Sequence, residues 1–201
     1  MSGSVPAGVV VVAHPDDEAL WCGGWMLMHP DWDWRVVTLC RGSDPDRSRR
    51  FHASMSTLRA TGRMGDLDDG PDQHPLADDD VDSAILSLLA ESPRADLMLT
   101  HGPHGEYTRH LRHEECHRAV VRLWRSGSLR TRELWCFAYS DSGGGRCPQP
   151  SSSATRRVPL EPALLRAKRD LITGAYGFAA DTWEVRCLPA VEAFTTVEDH
   201  R

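Results

Sequence analysis

The sequence predicts an α/β sandwich built on a mostly parallel sheet. Three observations predict it. Apolar runs suited to strands alternate with amphipathic runs suited to helices along the 201-residue chain. The first such run, Val9–Ala13, is apolar without alternation, as expected of a strand covered on both faces. Polar residues able to do chemistry gather just beyond the strand ends, where open α/β sheets bind ligands. The length suits one domain, 1–201, with a mobile loop at about 141–159.

Taken in order, Val9–Ala13 opens the sheet and Asp16 to about Met28 reads as a helix. Pro15 stands at its entrance and acids fill its first turn, both favourable there. Trp34–Cys40 is a second strand, and Arg47 to about Gly62 reads as a helix that a glycine ends. Met64–Leu76 is rich in acids and turn residues and reads as a loop with room for a short strand at its start. Asp79–Ala90 carries Val81, Ile85, Leu88 and Leu89 at helical spacing. Asp96–Gly102 is a third strand, ending at His101. Leu111–Trp124 is an amphipathic helix and Leu134–Ser140 a fourth strand. Asp141–Pro159 is rich in glycine, serine and proline and reads as a long loop, because too little chain follows for a second core. Leu160–Tyr176 reads as a helix, and the tail beyond gives no pattern.

Hydrophobic residues make up 40% and charged residues 26%, ordinary for a globular chain. The net charge of −6 argues against a nucleic acid partner. No apolar stretch approaches the roughly 20 residues of a membrane span. The N-terminus lacks a basic n-region, so no signal peptide and a cytoplasmic location are expected. The six cysteines (Cys22, Cys40, Cys116, Cys136, Cys147 and Cys187) form no CxxC pair. They are expected to be small core residues or inert thiols rather than a structural zinc site. The sequence leaves a homo-oligomer open.

Two clusters carry the chemistry. His14-Pro15-Asp16-Asp17-Glu18 follows the first strand, and a histidine and an aspartate three apart on such a turn can converge on one cation. Three acids at a helix start equally serve the helix dipole, at about 0.3–1 kcal/mol each. In the second cluster His110, His113 and His117 share one side of a helix. Two nitrogens and one oxygen with an open position make the first shell of a catalytic zinc site, where bound water has a pKa near ~7 and a free carboxylate takes its proton. Surface helices also carry such histidines, and spacing alone leaves both readings standing.

The stretch VVVVAHPDDE, followed by THGPHGEYTRHLRHEECHRAV, resembles the zinc-dependent PIG-L/LmbE-like deacetylases. Ala13–Glu18 matches the family's first motif in full, and Thr100–Tyr107 matches its loop closely. His110 and His113 match both histidines of its His-Pro-Asp-His box, with Leu111 and Arg112 in place of Pro-Asp. The likeness covers about residues 8–140. It implies a Rossmann-like three-layer sandwich and Zn2+ held by His14, Asp17 and His113. It implies Asp16 as general base, and His110 as the group that stabilises the oxyanion and protonates the leaving amine. The implied substrate is a small N-acetylated sugar or conjugate, typically glucosamine-containing. Arg47 and Arg50 stand where the family often places a substrate-binding arginine. The acid usually found three residues later is missing, since Ala53 follows Arg50, so the choice between the two stays open. Asp68 and Asp69 lie in a loop able to reach sugar hydroxyls or simply to turn the chain. His101 reads as a partner orienting a ligand or as a strand-end residue, and His117 as a supporting or structural one. Trp21, Trp25, Trp32 and Trp34 read as packing rather than as a sugar platform.

Two alternatives compete with an N-deacetylase. One is a metal-dependent hydrolase of another amide or ester. The other is a non-catalytic sugar- or nucleotide-binding module, although neither GxGxxG nor GxxxxGK[ST] is present.

Overall fold

The structure, a computed structural model, describes residues 5–89, 94–107, 109–143 and 146–198. In chain order its strands are β1 (Ala7–Val12), β2 (Asp33–Cys40), β3 (Ala60–Leu67), β4 (Ala95–Thr100), β5 (Thr131–Phe137), β6 (Tyr139–Ser140), β7 (Gln149–Pro150), β8 (Arg156–Pro159) and β9 (Val191–Thr196). Its helices are α1 (Asp17–Met28), α2 (Pro45–Leu58), α3 (Asp78–Leu88), α4 (Leu111–Arg125), α5 (Pro162–Asp170) and α6 (Trp183–Arg186), with a π-turn at Leu171–Ala175 extending α5.

Seven strands form one sheet in the order β3-β2-β1-β4-β5-β9-β8. The first five are parallel, and β9 and β8 close one side antiparallel. Val10 and Val12 face a core shared with α1 and α2, while Val9 and Val11 face one shared with α3 and α4. That alternation buries β1 on both sides, which explains its unbroken valines. The chain runs from β1 to β2 and β3 on one side, then returns to β4 on the other. The order therefore reverses at β1, and the crevice beyond the ends of β1 and β4 is the expected ligand site. The architecture is the three-layer α/β sandwich expected from the sequence.

Several element assignments change. The second helix begins at Pro45, where the Asp44 side chain caps the amides of Asp46 and Arg47, and it ends at Leu58. Arg59, at φ 54°, turns the chain, and Ala60–Leu67 is an edge strand rather than helix end and loop. Gly62 is therefore no helix stop: a Cβ there would meet Phe51 Cε1 at 2.5 Å, so the glycine lets α2 close on β3. The helix expected to end at Ala90 closes at Leu88, and Ala90 lies outside the described residues. The segment 141–159 contains β7 and β8, and β8 pairs with β9 from the patternless tail. The tail is tied inward by Glu192, which accepts the amides of Gly24 and Trp25 and pairs with the buried Lys168 at 2.7 Å.

Cys22, Cys40, Cys116 and Cys136 are buried thiols, as expected. Cys147 and Cys187 depart from the expectation by forming a disulfide across 40 residues, a separation that no local spacing reveals. No described helix is long and apolar enough to cross a membrane.

Candidate metal centre and its pocket

The turn after β1 is pinned from two sides. The Ala13 carbonyl accepts from the Leu39 and Cys40 amides at 3.2 and 3.0 Å, and the Ala13 amide donates to His101 Nε2 at 3.0 Å. The His14 amide then donates to Asp17 Oδ2 at 2.8 Å. Asp16 takes a positive φ of 107°, uncommon for a residue with a Cβ. The fully buried Glu18 supports that turn. It accepts the Asp16 amide at 3.1 Å, the Ser54 hydroxyl at 2.8 Å and the Tyr176 hydroxyl. Glu18 is thus a buried brace rather than a dipole charge.

This turn meets the start of α4. Asp17 Oδ1 lies 3.4 Å from His113 Nε2, and Asp17 Oδ2 lies 3.4 Å from His14 Nδ1. Donor atoms of His14, His110 and His113 lie within 4.8 Å of one another, as do those of Asp17, His101 and His113. The three ligands suggested by the resemblance therefore belong to two overlapping clusters that share His113. His110 precedes α4 and stacks on His113, with ring centroids 4.1 Å apart.

The outer imidazole nitrogens of His113, His101 and His14 each face an acid. Glu106 Oε2 faces Nδ1 of His113 at 2.6 Å and Nδ1 of His101 at 2.9 Å, while its Oε1 accepts the Gly102 amide at 2.8 Å. Asp69 Oδ1 lies 3.2 Å from His14 Nε2, and its other oxygen holds Arg41. These contacts assign the protons: Nδ1–H of His113 donates to Glu106, leaving the Nε2 lone pair facing Asp17. His113 Nε2 is buried with no hydrogen-bond partner among the described residues. A buried imidazole nitrogen held lone-pair first beside a carboxylate and two further imidazoles fits a zinc-type cation by its donor set.

The charges follow the packing. Burial lowers His14, but the bonds to Asp17 and Asp69 more than offset it and raise it to about 10. Burial pushes Asp16 well above the usual carboxylate range, with the Asp17 charge adding and Arg47 opposing. Burial also acts upward on Asp17, yet His113 and His101 hold it well below that range. Burial takes His110 down to about 3, with His113 and His14 adding to it, so this ring is neutral. For His101, burial acts downward and the Glu106 and Asp17 charges carry it up to about 9. The Ala13 amide, however, requires a lone pair on His101 Nε2. An amide cannot reverse its donor role, so we assign His101 a neutral ring with its proton toward Glu106.

A cavity of about 210 Å³ opens over the cluster, lined among others by His14, Asp16, Arg47, Tyr107, His110 and Trp183. Arg47 lies 3.1 Å from Asp16 Oδ2. Arg50 instead bonds Asp46 and the Tyr176 carbonyl and does not line the cavity. Asp68 has a 63% exposed side chain near Arg112, whereas Asp69 lines the cavity. His117 faces the His101 carbonyl at 2.8 Å, a structural contact. Trp21 and Trp34 are buried in the core, and Trp25 and Trp32 pack against it. Arg112, in place of the box's acid, is buried and donates to the Asp68 and His74 carbonyls and to Glu115. It thereby clamps the loop that carries Asp69 onto α4. Sequence reading assigned no role to Glu106, Arg41 or Trp183. Glu106 lies in the loop Thr100–Tyr107 that resembles the family's, which was its signal, and the tail offered none for Trp183.

Three solved structures share the fold. The 4-carboxy-2-hydroxymuconate hydratase GalB of Pseudomonas putida superposes with a TM-score of 0.71 at 14% identity, covering 98% of each chain. A conserved protein of Thermus thermophilus gives 0.69 at 17% identity, covering 94% of this chain and 93% of that one. The zinc-inhibited form of teicoplanin deacetylase gives 0.65 at 14% identity, over 96% and 99%. Among curated proteins, the 1D-myo-inositol 2-acetamido-2-deoxy-alpha-D-glucopyranoside deacetylase of Corynebacterium diphtheriae is 28% identical over 134 residues. That match covers 49% of this chain and 46% of the relative, so the chain spans less than half of that protein's length. Both histidine clusters, with β4 and most of β1, fall within residues 9–124, which match the family PIG-L: GlcNAc-PI de-N-acetylase; the match takes in more than half of the chain, which belongs to that family.

Proposed function

We propose that the chain is a zinc-dependent N-deacetylase acting on a small acetamido sugar or a conjugate of one. The observation that carries this reading is His113 Nε2, buried without a hydrogen-bond partner among the described residues, beside Asp17, which lines the cavity, while Glu106 fixes the opposite nitrogen. His14, Asp17 and His113 would hold the cation. When bound, zinc supplies a Lewis acid that acidifies water and polarises an acyl oxygen.

This chain's residues do the rest. Asp16 is the carboxylate left free of that set; its strained turn aims it into the cavity, and it takes the proton from water. Arg47 orients Asp16 and keeps its charged form accessible. His110, neutral and stacked beside the cluster, offers an N–H to the developing oxyanion and relays to the departing amine the proton that Asp16 has taken from water, ending neutral again. The family and the curated relative support the acetamido-sugar class.

The test is acetate release from N-acetylglucosamine derivatives by zinc-loaded protein, against other amides and esters. One zinc per chain, activity lost on chelation, and an Asp16→Asn variant that keeps zinc but loses turnover by about 100-fold or more would fit. Wild-type zinc binding by His113→Ala would overturn the ligand set, and esters or unrelated amides cleaved in preference would overturn the substrate class. The Cys147–Cys187 bond opposes the cytoplasmic setting expected from the N-terminus, because a reducing compartment keeps thiols open; thiol counting on protein trapped in cells decides between them.

A further inference from the structure

We infer that Trp183 is a ring-stacking platform for the substrate's pyranose face, held at the cavity by the Cys147–Cys187 bond; this rests on the deacetylase reading above. Trp183 lines the same cavity as Asp16 and His110, with Glu184 beside it on that wall. Its ring packs on Tyr107 at 4.3 Å between centroids and meets Trp21 edge-on at 6.5 Å. Two aromatic rings thus back it in a fixed plane. A flat apolar face next to a carboxylate suits a sugar, whose C–H face is apolar and whose rim carries hydroxyl donors. A linear acetamide offers neither surface.

The platform stands on a weak element. The helix α6 has four residues, too few to hold itself in water. Val185 is buried beneath it, and Cys187 follows directly and is bonded to Cys147. Cys147 lies just ahead of β7, which pairs with β6 beyond the end of β5. The disulfide therefore anchors the wall that carries Trp183 to the rim of the sheet.

The experiment compares Trp183→Leu and Trp183→Phe on two substrates: a methyl glycoside of N-acetylglucosamine and the acyclic N-acetylethanolamine. Leucine keeps an apolar side chain but removes the ring, and phenylalanine keeps a smaller ring. For Trp183→Leu the expected result is a KM about tenfold higher for the glycoside with kcat nearly unchanged, and no shift for the acyclic amide. Trp183→Phe should recover most of the loss. Equal losses on both substrates, or a fall in kcat alone, would overturn the platform. A Cys147→Ser/Cys187→Ser double variant should raise the glycoside KM in the same direction; an unchanged KM would remove the clamp. Calorimetric titration of the wild type and Trp183→Leu with the same glycoside separates this from the deacetylase reading. Sugar binding that depends on Trp183 without acetate release would sink the chemistry and keep the platform. Acetate release with Trp183-independent binding would do the reverse.

Discussion

Two of the three imidazoles facing Asp17, those of His113 and His14, are braced in different ways. His113 leans on Glu106, fully buried, seven residues away, and shared with His101 and the Gly102 amide. His14 leans on Asp69, which is 55 residues away, on a loop, and divided between His14, Arg41 and Gln73. One brace is part of the core; the other is hung at the pocket's edge and depends on a clamp elsewhere. The difference teaches that a ligand's partner can be as rigid as its strand or as adjustable as its loop. It also predicts that the two acids differ in how much the site loses without them.

The largest effect is expected at Glu106→Gln. The carboxylate accepts three N–H groups, from His101, His113 and Gly102. A glutamine has one acceptor oxygen, so either orientation sets an NH2 against a buried donor. Zinc affinity should fall by about 100-fold, the upper end for a residue supporting a ligand, read by competition with a chromophoric chelator. A loss no larger than that of the Asp69 variant below would break the comparison.

Arg112→Met comes next. It removes the bonds to the Asp68 and His74 carbonyls and leaves Glu115 buried without its cation. Breaking one partner of a buried pair costs about 3–5 kcal/mol, so the denaturation midpoint should drop. Zinc affinity should fall by about 30-fold, because the loop that delivers Asp69 is released. Adding Glu115→Gln removes the stranded charge and keeps an acceptor for the Leu76 amide. That double variant should regain stability without regaining zinc affinity. Recovery of both would show that Arg112 acts on the fold and not on the brace.

How much of this was legible follows from the reach of each interaction. His14, Asp17, His110 and His113 sit in two short runs, and β1, β2 and β4 show as apolar runs and α4 by its helical period locally. Glu106 lies in the quoted loop, but its burial and its double acceptance are tertiary facts. β3 was hidden because it is a half-buried edge strand whose Gly62 and Gly65 lower its strand propensity. Its register comes from pairing with β2. Arg50 looked equal to Arg47 until α2 was placed: Arg47 faces Asp16, and Arg50 reaches the turn at Tyr176. The Cys147–Cys187 bond and Trp183 join segments 40 and 76 residues apart (183 − 107 for the Tyr107 contact), which no local pattern carries.

The smallest effect, and the sharpest discriminator, belongs to Asp69→Asn. Asparagine retains an oxygen at the place where Asp69 Oδ1 meets His14 Nε2. The hydrogen bond that fixes the His14 tautomer therefore survives, and Nδ1 still faces Asp17. What is lost is the negative charge, together with the ion pair to Arg41, a side chain 48% exposed. An ion pair that open to water is worth about 0–1 kcal/mol. The charge itself raises the basicity of His14 through the shared proton. Zinc affinity should fall about tenfold, close to 1.4 kcal/mol, against about 100-fold for Glu106→Gln. Asp69→Ala, which also removes the acceptor, should fall further and match Arg112→Met. If alanine and asparagine behave alike, Asp69 acts by charge alone, and the tautomer of His14 is set by the Asp17 contact instead.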